Sequence, residues 1–102
     1  MTIAREEIFG PVVCILTHDG DEEAVAIANN TEYGLHGSIW SKDETRALSV
    51  ARRILTGMLN INGYGCDVMA PFGGCKQSGL GRELGTADLE EFFETKVQTL
   101  RS

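Results

Sequence analysis

The sequence predicts an α/β fold with parallel strands. Short apolar runs alternate with helical stripes in the order β-α-β-α-β-loop-α-β. Two of the helical stripes follow an acid-rich start of capping-box type. Strand–helix–strand units in succession imply parallel pairing with right-handed crossovers. No internal repeat, low-complexity segment or second domain interrupts that order.

The first strand is read from Val12, Val13, Cys14, Ile15 and Leu16, a continuous apolar run after the Gly10-Pro11 break. Its lack of alternation predicts burial on both faces, as in a parallel sheet. Asp19, Gly20, Asp21 and Glu22 start the first helix, with Asp19 as cap and Glu22 as its partner three residues on. Ala24, Val25, Ile27 and Ala28 form its apolar stripe, and Asn29, Asn30, Thr31 and Gly34 end it.

Residues 35–40 give a second strand with Gly37 inside it. Ser41, Lys42, Asp43 and Glu44 form a second capping box. Ala47, Leu48, Ala51, Ile54 and Leu55 share one helical face, and Gly57 suits the residue just past that helix. Leu59 and Ile61 alternate with Asn60 and Asn62 as a third strand. A third helix starts near Thr86, with Ala87, Phe92 and Phe93 near one face. Residues 95–100 close the chain as a strand.

Composition narrows the function. The 102 residues make one small domain, 42% hydrophobic and 24% charged, within the ordinary range for a globular chain. A net charge of −6 disfavours duplex nucleic acid and anionic membrane surfaces as partners. The sequence has no apolar run long enough to span a bilayer and no signal-peptide pattern. Cys14, Cys66 and Cys75 form no C-x-x-C, which fits a reducing cytoplasm better than a disulfide framework. His18 and His36 are isolated from each other and from any cysteine at ligand spacing, so no metal site is expected.

Between the third strand and the third helix lies the densest motif. Pro71, Phe72, Gly73, Gly74, Cys75, Lys76, Gln77, Ser78, Gly79, Leu80, Gly81, Arg82 and Glu83 mix glycines with an aromatic and charges. Flexible linkers lack that mixture, so the segment holds a defined shape. It is no phosphate loop: Leu84 stands where G-x-G-x-x-G needs its third glycine, and Cys75 precedes Lys76 where a Walker loop has glycine. Ligands bind beyond the carboxyl ends of strands in open α/β sheets. The third strand runs directly into this segment.

The same segment resembles the PFGGxKxSGxGRE motif near the C-terminus of NAD(P)-dependent aldehyde dehydrogenases. Glu6, Glu7, Ile8, Phe9, Gly10, Pro11 and Val12 resemble that family's EEIFGPV motif. Asn29 to Leu35 resemble its AN(N/D)xxYGL segment. The resemblance covers essentially the whole chain with the motifs in family order. The family's proteins are much longer. The resemblance therefore implies that residues 1–102 are the C-terminal part of a three-layer α/β/α catalytic domain, with 95–102 as an oligomerisation strand added to a neighbouring subunit.

The resemblance also assigns residues. Read alone, Glu6 and Glu7 are solvated surface; the family match makes Glu7 the acceptor of the nicotinamide ribose hydroxyls, a vicinal diol that a carboxylate suits. It places Phe9 near the nicotinamide. Phe72, read alone as core packing, becomes a wall of the aldehyde tunnel, and Tyr64, Cys66 and Met69 on the preceding loop become specificity residues. Glu83 matches an acid that assists proton passage to and from the general base; an ion pair with Lys76 or Arg82 is the other reading. Lys76 and Arg82 are expected to pin the loop.

The family's nucleophile is a cysteine in a Gly-Gln-x-Cys context, which Cys14, Cys66 and Cys75 do not share. Its base glutamate, oxyanion-stabilising asparagine and dinucleotide-binding half are also missing. The expectation is a piece of an enzyme that oxidises an aldehyde to a carboxylic acid with NAD or NADP, inactive and a weak cofactor binder alone. Its partners are the rest of that chain and other subunits, and alone it self-associates. The competing expectations are a truncated, non-catalytic module that binds full-length subunits, and a small binding domain that uses its glycine-rich loop.

Overall fold

The computed structural model describes residues 1–63 and 65–101. Its centre is one β-α-β unit. Strand β2 (His36–Ile39) pairs in parallel with β3 (Met58–Ile61), His36 opposite Met58 and Ile39 opposite Ile61, and helix α2 (Glu44–Ala51) connects them. This is the parallel pairing that the alternation of elements predicts. Ahead of it lie a 3-10 turn (Thr2–Ala4), helix α1 (Asp21–Asn29) and a two-residue strand β1 (Tyr33–Gly34). Strand β4 (Cys75–Lys76) and helix α3 (Gly85–Glu90) follow.

The helix starts differ from expectation in their choice of cap. Asp19 does not cap α1. Gly20 stands at that position without a side-chain hydrogen bond, and Glu23 reaches back to the Asp19 N–H at 2.7 Å. In α2 the cap is Asp43, whose Oδ1 accepts from the Arg46 N–H at 3.0 Å, while the Ser41 hydroxyl accepts from Asp43. Both sites offer several candidate caps within four residues; at α2 one of them satisfies a free helical N–H, and at α1 none does. Helix α3 ends before Phe92 and Phe93, which are exposed, so they line no helical face.

Two expected strands do not form. Residues 12–16 and 95–100 have no regular structure. Val13 is 85% exposed, Ile15 87% and Val97 84%. A strand persists only when its N–H and C=O groups meet a neighbour, and among the described residues no strand pairs with either segment. The ladder between β1 and β4, Tyr33 opposite Lys76 and Gly34 opposite Cys75, has the opposite history. Two residues are too few to leave a periodic trace.

Two bidentate ion pairs join α1 to α2. Arg46 Nε and Nη2 donate to Asp21, the latter at 2.6 Å, and Arg53 grips Glu22 with both terminal nitrogens. The Arg46 hydrogen bond holds the Asp21 carboxyl below the usual carboxylate range, and Arg53 does the same to Glu22.

Little is buried. Val25 and Ala47 are the buried hydrophobic residues among those described, whereas Phe9, Trp40, Leu80, Phe92 and Phe93 are all exposed. The accessible surface is 8607 Å², against about 5,700 Å² for a compact monomer of this mass. The radius of gyration is 18.0 Å, against about 13 Å for a compact chain of this length. Among the described residues no second layer covers the exposed apolar side chains.

Candidate active-site loop and cofactor contact

The glycine-rich segment 71–83 is held at its base by a short antiparallel bridge. The Phe72 N–H donates to Glu83 O at 2.6 Å, and the Glu83 N–H donates to Phe72 O at 2.7 Å. Glu83 makes no ion pair with Lys76 or Arg82 among the described residues. Its backbone closes the loop instead.

Lys76 and Arg82 both pin the loop, as expected, and they do so through backbone carbonyls. Lys76 Nζ donates to Asn29 O and Thr31 O, each at 3.0 Å. Arg82 Nη1 donates to Gly74 O and Gly81 O, each at 2.7 Å. Ser78 Oγ accepts from the Gly34 N–H at 2.9 Å, and the Cys75 thiol donates to Leu55 O at 3.3 Å.

Gly57 has a task different from ending α2, which stops at Ala51. A Cβ on Gly57 would lie 1.8 Å from Gly73 O. Only glycine lets the two backbones come this close. The start of β3 and the start of the loop are therefore packed backbone to backbone.

Sequence reasoning missed one organising residue. Asn29, the last residue of α1, donates from Nδ2 to Arg53 O at 2.9 Å and accepts at Oδ1 from the Leu55 N–H at 2.8 Å. Its own carbonyl receives Lys76. One side chain thus ties the end of α1 to the connection between α2 and β3. The available signal was an asparagine at a helix end, where its amide can satisfy free backbone groups.

The expected site residues fall in two places. An open cleft of about 870 Å³ is lined by Glu7 together with Trp40, Leu59 and Ser78. A second of about 740 Å³ is lined by Cys66, Asp67, Asn60, Leu59 and Pro71. Leu59 alone of these borders both. Phe9 is 89% exposed at φ 55° and lines neither. Phe72 is half-buried beside the second cleft's Pro71 without lining it, and Met69 is exposed with its N–H on Asp67 Oδ1 at 2.9 Å. Tyr64 lies outside the described residues. The structure thus brings Cys66 to the mouth of β3, and keeps Glu7 and Phe9 apart from it on the N-terminal segment.

The Glu7 carboxylate is exposed and has no hydrogen bond or ion pair among the described residues. That leaves both oxygens open to donors, which fits a diol. Among the described residues no cysteine thiol is hydrogen-bonded to a basic side chain. Cys14 donates to Ile3 O at 3.4 Å, Cys75 to Leu55 O, and all three are free thiols. No group of three or more metal-ligating side chains occurs among the described residues.

Residues 1–98 match the aldehyde dehydrogenase family. The chain belongs to that family. It is 60% identical over 94 residues to geranial dehydrogenase of Castellaniella defragrans, covering 92% of this chain and 20% of that protein. It is 54% identical over 98 residues to betaine aldehyde dehydrogenase of Rhizobium johnstonii, covering 95% of this chain and 20% of that one. Among solved structures, a Mycobacterium tuberculosis aldehyde dehydrogenase complexed with NAD+ superposes with a TM-score of 0.87 at 50% identity, over 90% of this chain and 19% of that one. A Staphylococcus aureus betaine aldehyde dehydrogenase in complex with NAD+ gives 0.86 at 45% identity, over 90% and 18%. The chain spans about a fifth of the length of these aldehyde dehydrogenases.

Proposed function

We propose that this chain is the C-terminal part of an enzyme that oxidises an aldehyde to a carboxylic acid with NAD or NADP. The observation that carries the proposal is the match over residues 1–98, at up to 60% identity among the relatives named above, to proteins five times longer whose names are those of aldehyde dehydrogenases. The under-built core supports the same reading. Exposed Leu48 on α2, Leu89 on α3 and the apolar residues of 12–16 fit a catalytic domain of three layers, whose other part covers them.

In this reading Glu7 accepts hydrogen bonds from the nicotinamide ribose diol, and Phe9 packs beside the ring. The free carboxylate and the bare aromatic face both fit those tasks. The bound NAD(P)+ supplies the hydride acceptor. Phe72, Cys66, Met69 and Tyr64 form the aldehyde side, where apolar walls exclude water and set access. Glu83 serves as a proton relay at the base of the loop. The cofactor-binding half, the nucleophile and the base belong to the rest of the enzyme.

The chain alone is inactive and binds cofactor weakly or not at all, because none of its cysteines has the family's Gly-Gln-x-Cys context and, among the described residues, none is hydrogen-bonded to a basic side chain. Its partners are the remaining part of the dehydrogenase and other subunits, and its place is the cytoplasm. Residues 95–102 add to a neighbouring subunit's sheet edge; residues 95–101 are exposed and outside any sheet of this chain, which is compatible with strand addition. That feature also favours the second reading, a truncated non-catalytic module that binds full-length subunits.

The test is reduction of NAD+ and NADP+, followed by absorbance, with a panel of aldehydes. The complete enzyme containing this chain should turn over, and the 102-residue chain should not. Turnover by the chain alone would overturn the assignment of nucleophile and base to another part. No turnover by the complete enzyme with any aldehyde would overturn the function itself.

A further inference from the structure

Lys76 is held at φ 57°. That region is unfavourable for a residue with a Cβ, by about 1 kcal/mol or more. Such a conformation persists only where the surroundings over-determine it. Here they do so twice. The Lys76 backbone is locked opposite Tyr33 in the β1–β4 ladder. Its ammonium bridges the carbonyls of Asn29 and Thr31, at the end of α1 where helical carbonyls lack partners and a cation is favoured.

Lys76 is four residues from Phe72. Between them the chain has little freedom. Gly73 is seated against Gly57, the Gly74 carbonyl is held by Arg82, and the Cys75 thiol is on Leu55 O. The far side of Phe72 is closed by its bridge to Glu83. The brace on α1 is therefore connected to the Phe72 ring through fixed backbone. Glu7 is on a different segment and takes part in none of these contacts, although Thr31 and Leu55 border its cleft.

We propose that Lys76 is a positioning residue for the aldehyde: it touches neither substrate nor cofactor, and sets where Phe72 stands by bracing the loop against the C-terminal end of α1. The proposal rests on reading residues 71–83 as the aldehyde side of a dehydrogenase. It makes an asymmetric claim, because loosening the brace moves the aldehyde wall and leaves the ribose contact in place.

The experiment uses the complete enzyme with Lys76→Met, Lys76→Gly and Lys76→Arg. Methionine keeps the length and removes the ammonium. Glycine removes the ammonium and the backbone strain together. Arginine keeps a donor. Lys76→Met and Lys76→Gly should each raise KM for the aldehyde about tenfold, as expected when a substrate-positioning group moves by a fraction of an ångström. KM for NAD(P)+ should stay within about twofold, the mark of a selective loss of one binding contribution. Lys76→Arg should recover most of the aldehyde affinity. Cys75, mapped by peptide mass after timed iodoacetamide treatment, should be alkylated faster in the first two variants. If aldehyde and cofactor KM rise together with a falling Tm, Lys76 is only a stabilising residue and the proposal fails. Unchanged aldehyde KM with unchanged Cys75 labelling also overturns it. Should the wild-type enzyme oxidise no aldehyde, the functional reading fails and this proposal with it; faster Cys75 labelling would then report a brace of purely structural consequence.

Discussion

Glu7 and Gly57 show how differently single residues act in this chain. Glu7 is a free carboxylate, and in the reading proposed above its task depends on a ligand. In the complete enzyme Glu7→Ala should raise KM for NAD(P)+ about tenfold or more, the loss of a charged hydrogen bond to a diol. An unchanged cofactor KM and unchanged turnover would remove Glu7 from the site. Gly57 acts through the space it leaves. Gly57→Ala places a methyl 1.8 Å from Gly73 O, so the loop must move. We expect a loss of about 3 kcal/mol or more in urea unfolding of the complete enzyme, in the range of severe backbone clashes. Stability within about 0.5 kcal/mol of wild type, the range of neutral surface changes, would show that the contact yields easily. Gly57 was visible in the sequence as a break after a helix. Its partner, sixteen positions on, was not, because a contact between two backbones leaves no side-chain pattern.

At the scale of elements, α1 and α2 are joined by paired charges more than by apolar contact. Asp21 and Glu22 have their carboxyl groups held below the usual range by Arg46 and Arg53. A lowered folded value means that these pairs stabilise the helices above the ordinary carboxylate range, near pH 4. That contribution disappears as the pH falls through the lowered values. Both pairs are exposed, so the effect is modest and screened by salt. Titrating the complete enzyme from pH 6 to pH 2 at low salt should therefore give a loss of stability that is reduced in Asp21→Asn with Glu22→Gln. An identical acid profile in the double variant would show that the pairs do not contribute. Both helices were legible from their stripes and acidic starts. The two arginine bridges were not, since they depend on how the helices face each other. The same holds for Asn29, whose amide only has a use once residues 53 and 55 pass beside it.

The whole molecule is an incomplete solid. Its surface exceeds that of a compact chain of its mass by about 3,000 Å², comparable to a large obligate interface. Exposed Val13, Ile15, Trp40, Phe92, Phe93 and Val97 contribute apolar area that water disfavours. The isolated chain should self-associate, with sedimentation coefficients that rise with concentration over the micromolar range. A single monomeric species at every concentration would contradict this. Strand formation by residues 12–16 and 95–100 belongs to this scale as well. Their sequences carry strand propensity, and the partners that would use it are not among these residues.

What the sequence by itself determined is local and chemical: the β2-α2-β3 unit, the positions of α1 and α3, and membership of the aldehyde dehydrogenase family through motifs spread along the chain. Periodicity and short motifs suffice there because each depends on neighbours within a few residues or on residue identity alone. Only the tertiary structure decided that Glu83 closes a bridge with Phe72, that Lys76 and Asn29 meet at the end of α1, that Gly57 packs on Gly73, and that two strand-prone segments stand bare. Each of those depends on which distant backbone passes within hydrogen-bonding or contact distance, and that is fixed by how the elements pack.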